Sequence, residues 1–413
     1  MLLLAQAAGL GLLPMLVGML LSEVVDLDEF GRFYAGLGMA MTAVYIGGLG
    51  LDKIILKVIA AAGKSGDASD ARGLRHAGPP LIIIGCLACT AILVPTFAFA
   101  QDAPPGEIVE FAAILLLMPL HAVLRFLFGT VAPHGGRLSA TVFRDSLWMV
   151  LVATILAFLL GNGTSDLGVL HAVAIYVVAS IASMIAMLLL RRRVEPKSYR
   201  SGTPTLRTRA WITHGLDYAA NVMVYVFLAY SPLLYAQWVV DDDGQAALLA
   251  AAYQINVLPM AIAMTFCAVL LPDLASAVAN HDRAALAAAQ KRFLVLTAPP
   301  VLLVSLAILV LERPILRLYG EEYLAAGPAV RIILVGSVAS SLAYSTLNTS
   351  QFLPGLRRAT LSCMLLAAVG WIAFASSGGR GTTAIASMQV LLLLGCQALA
   401  ILIGGRHLRT WST

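Results

Sequence analysis

Residues 169–209 read VLHAVAIYVVASIASMIAMLLLRRRVEPKSYRSGTPTLRTR. An apolar run from Val169 to Leu190 ends in three arginines, and a stretch of Pro, Ser, Gly and Thr with further cations follows. A helix of ~20 apolar residues spans the hydrocarbon core of a bilayer, and this run has that length. Membranes retain Lys and Arg on one face, whereas Asp and Glu are nearly indifferent to side. An apolar run closed by Arg191, Arg192 and Arg193 therefore reads as a span reaching the cytoplasmic face. The segment after it cannot pack a core and predicts a flexible connector.

The same alternation extends over the whole chain. With the first helix running outward, the approximate spans are 2–21, 33–59, 79–100, 108–131, 146–160 and 169–190 before the connector, and 211–240, 246–271, 293–311, 328–347, 359–375 and 382–403 after it. Loops between odd and even spans are acidic: Glu23, Asp26, Asp28 and Glu29; Asp102 and Glu107; Asp166; Asp241, Asp242 and Asp243; Glu312, Glu321 and Glu322. Most of the 27 Lys and Arg fall in the other set, from Lys57, Lys64, Arg72 and Arg75 to Arg406 and Arg409. Only Arg32, Arg313, Arg317 and Arg380 lie in the acidic loops. The pattern places both termini in the cytoplasm and the chain in an inner membrane as a multi-pass protein.

Composition agrees, with 60 % hydrophobic and 12 % charged residues and a mean hydropathy of +0.88. Ordinary soluble domains carry about 25 % charged residues. The basic isoelectric point, near 9.0, follows from loop cations and not from a basic folded surface, so nucleic acid is not an expected partner. All five cysteines sit in apolar runs. Cys86-Leu-Ala-Cys89 has redox spacing but no neighbouring acid or base, and reads as packing. Met1 to Leu21 lacks a basic n-region and an Ala-x-Ala site, so it reads as the first spanning helix and not as a removed signal.

The expected architecture is an all-α polytopic membrane protein of about twelve transmembrane helices in two six-helix bundles. Its lobes cover residues 1–190 and 211–413, joined by the basic linker 191–210. Six is even, so both halves enter from the same side, the parallel-repeat arrangement; Val24-Val25-Asp26 and Val239-Val240-Asp241 match weakly across it. Asp273 to Arg292 spaces Leu274, Val278, Ala285 and Ala289 between polar residues and predicts a short interfacial helix.

An ionised side chain at bilayer depth costs ~2.5–3.5 kcal/mol on insertion scales, so those present face partners or a wet cavity. The candidates are Arg125, with His121 one turn before it; Asp52 and Lys53; Arg331; and a stripe on the seventh span, His214, Asp217, Asn221 and Tyr225, aligned by i, i+3 and i, i+4 spacing. Gln254 and Asn256 interrupt the eighth span. Each has a plainer reading beside it. Asp52 and Lys53 could pair with each other or lie at the headgroups, Arg331 could snorkel outward, Arg125 and Asp217 could form a structural ion pair, and His214 could be interfacial. Pro14, Pro119, Pro232 and Pro259 allow helices to bend. The seven histidines lack metal-ligand spacing, and no Walker, Gly-x-Ser-x-Gly or dinucleotide element is present. No cofactor and no metal are expected.

Several segments resemble the polysaccharide-flippase branch of the multidrug/oligosaccharidyl-lipid/polysaccharide (MOP) superfamily, the Wzx-type exporters. Asp28-Glu29-Phe30-Gly31-Arg32-Phe33-Tyr34 is similar to the family's segment between helices one and two, with Asp26-Leu27 in place of its Gly-Pro. Gly48-Leu49-Gly50-Leu51-Asp52 is similar to its glycine-containing second helix. Leu271-Pro272-Asp273-Leu274, Ile315 to Tyr323 with Arg331-Ile332, and Asn348 with Pro354-Gly355-Leu356-Arg357 follow in the expected order. The resemblance implies two bundles around a cavity opening alternately to each side, and an undecaprenyl-pyrophosphate-linked oligosaccharide as substrate, with other polysaccharide-assembly proteins as partners. Arg125 and Arg331 are the cations expected at the head group, and Asp217 is the expected coupling-ion or ion-pair residue. The rivals are a multidrug exporter of the same fold and a membrane-embedded polymerase or acyltransferase.

Overall fold

The computed structural model describes residues 2–164, 167–196, 199, 202–350 and 356–409. Asp166, the linker residues Lys197, Ser198, Arg200 and Ser201, and Pro354-Gly355 lie outside the described residues. The helices are α1 (Leu2–Ser22), α2 (Leu27–Gly47), α3 (Leu51–Ser65), α4 (Ser69–Gln101), α5 (Pro105–Leu115), α6 (Leu117–Val131), α7 (Arg137–Asp145), α8 (Leu147–Gly161), α9 (Val169–Val194), α10 (Thr208–Tyr235), α11 (Asp243–Ala279), α12 (Arg283–Arg317), α13 (Gly327–Ser350), α14 (Leu356–Ser376) and α15 (Thr382–Arg409). No strand occurs among the described residues.

Among these residues, nine helices are long and apolar enough to cross a membrane, or ten if α7 and α8, bent by 47°, count as one span. The expected twelve is thus not reached by length and apolarity alone. The first expected span is one helix of 21 residues, Leu2–Ser22, and the second is not one helix but two. Large apolar side chains such as Ile84, Leu87, Ile92 and Phe99 on α4, and Leu303, Leu306 and Val310 on α12, are exposed. Helices that are apolar on their outer faces suit lipid as solvent.

The chain packs as two units, Val24–Phe227 and Met1–Glu23 with Leu228–Thr413. These differ from the lobes expected at 1–190 and 211–413, because α1 packs on α11 and the start of α10 packs with α3 and α4. The α1 contact is a close one: a Cβ at Gly11 would stand 2.4 Å from Leu258 Cδ1, and one at Gly18 1.8 Å from Gln254 Oε1. Tyr319, buried just after α12, donates to the Met15 carbonyl at 3.2 Å. In the other unit α6 is central, packed by α2, α3, α4 and α9. Asp26 caps α2, its side chain accepting from the Glu29 backbone N–H at 2.8 Å.

Two further expectations are corrected. Asp273 to Arg292 is not an interfacial helix: α11 runs on to Ala279, and α12 begins at Arg283 with Asp282 as its cap. Leu274, Val278 and Ala289 pack with Leu286 and Phe293 in the core of this helical hairpin, so their apolar stripe is satisfied by protein. The described part of the linker is not free either. Arg72 donates to the Thr203 carbonyl, Arg75 to the Tyr199 carbonyl, and the Thr205 N–H to the Ser69 carbonyl. Arg75 also pairs with the buried Glu195 at 3.2 Å. The chain here satisfies its backbone on α4, which composition could not reveal.

The halves share one more feature. The helices α4 and α12 both follow a short turn from the preceding helix. Each carries a Pro-Pro pair and a third proline about four turns on: Pro79, Pro80 and Pro95 in one, Pro299, Pro300 and Pro314 in the other.

Candidate functional site

The second expected span breaks at Gly47-Gly48-Leu49-Gly50. Leu49 (φ 53°) and Gly50 (φ 61°) are both left-handed, which ends α2 and restarts the chain as α3. Glycine is required at the break by contact as well as by φ. A Cβ on Gly50 would lie 2.0 Å from the Gly215 carbonyl oxygen of α10, and one on Gly215 2.1 Å from that of Leu49. A Cβ on Gly85 of α4 would likewise meet the Gly47 carbonyl at 2.3 Å. Discontinuous helices at membrane depth are tolerated where the freed backbone is covered by protein or lines a site.

The break sets Tyr45 at the end of α2 and Asp52 in the first turn of α3, where a carboxylate favours the helix N-terminus. Arg125, on the central α6, bridges them. Its Nη1 donates to Tyr45 Oη at 2.9 Å, its Nη2 lies 3.5 Å from Asp52 Oδ2, and the guanidinium stands 4.3 Å from the Tyr45 ring centroid. Lys53 and Arg144 also act electrostatically on Asp52. Arg144 is held by Asp145, with bonds of 2.6 and 2.5 Å, and lies over the Phe128 ring. The Lys53 ammonium makes no ion pair or hydrogen bond among the described residues. Three cations therefore face two carboxylates, and the cluster carries an excess of positive charge. The buried His121 extends it, with Nε2 3.5 Å from Ser180 Oγ and its ring edge-on to Trp148. The Trp148 indole N–H in turn donates to the Arg144 carbonyl.

The other expected residues divide. On α10, His214 and Asp217 are exposed and Asn221 is buried, so these residues differ in surroundings. The carboxylate paired with Arg125 is Asp52 and not Asp217. Arg331 belongs to the other unit, where it lies on α13 and forks onto Glu312 of α12 at 2.7 and 3.0 Å. Tyr45, Arg144, Asp145 and the Lys57–Tyr218 contact escaped the sequence reading. Arg144 and Lys57 look like loop cations by position, and nothing in their spacing marks the Phe128 and Tyr218 rings they meet. Among the described residues no three His, Cys, Asp or Glu side chains are grouped to hold a metal. The arrangement can bind anions through guanidinium and ammonium N–H donors.

The sequence matches the family described as "Polysaccharide biosynthesis protein" over residues 1–278. The chain belongs to that family. No curated protein matches it. As a fold, this polysaccharide biosynthesis protein is similar to MOP-superfamily transporters. A multidrug resistance MATE family transporter in an inward-facing conformation superposes with a TM-score of 0.73 at 15 % identity, covering 100 % of this chain and 98 % of the other. An outward-facing MATE family transporter gives 0.65 at 15 % identity, with 98 % and 96 % covered. A MOP superfamily transporter from Pyrococcus furiosus, described as having a binding pocket of reversed polarity, gives 0.64 at 15 % identity, with 99 % and 96 % covered. The protein is thus an all-α multi-pass membrane protein with a transporter fold.

Proposed function

We propose that the protein is a flippase that moves an undecaprenyl-pyrophosphate-linked oligosaccharide from the cytoplasmic to the periplasmic leaflet of a bacterial inner membrane by alternating access, with both termini in the cytoplasm. Family membership supports the polysaccharide context, and the MOP fold supports transport. A pyrophosphate and its sugars cannot cross hydrocarbon unaided. The observation that carries the reading is the over-cationic cluster at the break between α2 and α3. There Arg125 is held loosely enough for a phosphate to compete with Asp52. In this account Arg125 and Lys53 take the pyrophosphate, and Asp52 holds Arg125 while the site is empty. His214, Asp217 and Asn221 on α10 contact the glycan or a coupling ion. Arg331, forked onto Glu312, is read as a structural cation. Translocation needs no bond to be made or broken, so no enzymatic step is assigned.

The test is export of labelled lipid-linked oligosaccharide in inverted vesicles, with Arg125→Ala. Loss of export at normal protein level supports the reading, and intact export removes Arg125 from it. The second reading, a small-molecule exporter, is favoured by the multidrug relatives of the fold. It predicts efflux of organic cations that the lipid-linked substrate does not inhibit.

A further inference from the structure

At the basic-loop end of α4, α6 and α9 a cavity of about 360 Å³ opens between the three helices. It lies wholly within the Val24–Phe227 unit, below the end of α9 that carries the arginine triplet. Its rim is polar and cationic, formed by Arg75, His76 and Arg191, and its walls are apolar, among them Val123, Leu127 and Leu188. Arg75 is fixed in place by Glu195 and by the Tyr199 carbonyl, which engage Nη2 and Nη1 and leave the rest of its five N–H donors available. Arg192 and Arg193 follow at once on the exposed end of α9. The cavity falls in the size range of small-molecule sites, ~300–1,000 Å³.

We propose that this cavity binds an anionic phospholipid of the surrounding bilayer, with the phosphate on Arg191, Arg75 and His76 and part of an acyl chain against Val123, Leu127 and Leu188. Three features select a lipid over a free anion. The apolar walls offer a phosphate nothing, the rim stands where the apolar stretches of α4 and α9 end, and the net positive rim matches an anionic head group. Basic pockets between transmembrane helices recognise lipid head groups in this way. The lipid would also rest against the docked linker through Arg75 and Glu195, tying the connector to the bilayer surface.

The test is native mass spectrometry of the full chain titrated with phosphatidylglycerol or phosphatidylcholine of equal acyl length, with inorganic phosphate as competitor. It reads binding and not transport, so its outcome is separable from the flippase reading. Phosphatidylglycerol should bind about fivefold tighter than phosphatidylcholine, and Arg191→Gln should remove that preference, as expected for one cation at a lipid head group. Leu188→Trp, which fills the apolar wall, should weaken both lipids; should that variant fail to fold, Arg191→Gln carries the test alone. Equal affinity for the two lipids, an Arg191→Gln profile like that of the unaltered protein, or displacement of phosphatidylglycerol by inorganic phosphate would overturn the proposal.

Discussion

Two arginines on apolar helices, Arg125 and Arg331, each face one carboxylate, yet their surroundings differ in kind. Arg331 forms a two-pronged bond at 2.7 and 3.0 Å to Glu312, whose side chain is only 5 % exposed. One charge answers one charge, and the geometry is the tight bidentate kind. Arg125 reaches Asp52 at 3.5 Å, shares it with Lys53, and has Arg144 nearby; the Arg125 and Asp52 side chains are 30 % and 18 % exposed. The first arrangement is tightly bonded and neutral, although the Arg331 side chain itself is 61 % exposed, and it suits a clamp between α12 and α13. The second is loosely bonded and over-cationic, which suits a site awaiting an anion.

Replacing Arg331 by Ala is expected to have the largest effect, on stability: it leaves Glu312 buried without its partner, the costly way to break such a pair. Folded protein recovered from membranes should fall sharply, while the double variant Glu312→Leu with Arg331→Leu should recover most of it. Failure of the double variant to recover would mean the pair does more than clamp. Arg125→Ala should reverse this pattern. Membrane levels stay near normal while transport drops about 100-fold or more, as when one partner of a desolvated charge contact is removed.

Gly215→Ala probes the frame and not the charges. Its Cβ would meet the Leu49 carbonyl at 2.1 Å, and overpacking of this kind costs ~1–3 kcal/mol. Thermal melting of the purified protein should move down, and an unmoved melt would show that the break relaxes freely. The smallest effect is expected for Lys53→Gln, a loss of about tenfold in transport at unchanged stability, the scale of one hydrogen bond to a charged group.

Apolar runs and loop charges made the helices and their order legible in the sequence, because the hydrocarbon core dictates both. Arg125 was legible for the same reason: a cation amid apolar residues needs an explanation. What surrounds it was not. Gly47-Gly48-Leu49-Gly50 reads equally as a packing stripe in a continuous helix or as a break, and only the left-handed φ angles of Leu49 and Gly50 decide. With the break, Tyr45 ends one helix and Asp52 begins the next, and both meet the Arg125 guanidinium. The Glu312 partner of Arg331 comes from the other arm of a helical turn, a pairing that loop-charge counting assigns to solvent. The stripe at Leu274 and Val278 fitted a bilayer surface as well as a hairpin core.

The central claim, that the Arg125 cluster and not the Arg331 pair receives the anion, is tested most directly by the affinity of the purified protein for a polyprenyl diphosphate. Arg125→Gln should weaken binding about 100-fold, and the Glu312→Leu, Arg331→Leu double variant should bind like the unaltered protein. Full binding by Arg125→Gln, or its loss only in the double variant, would contradict the account.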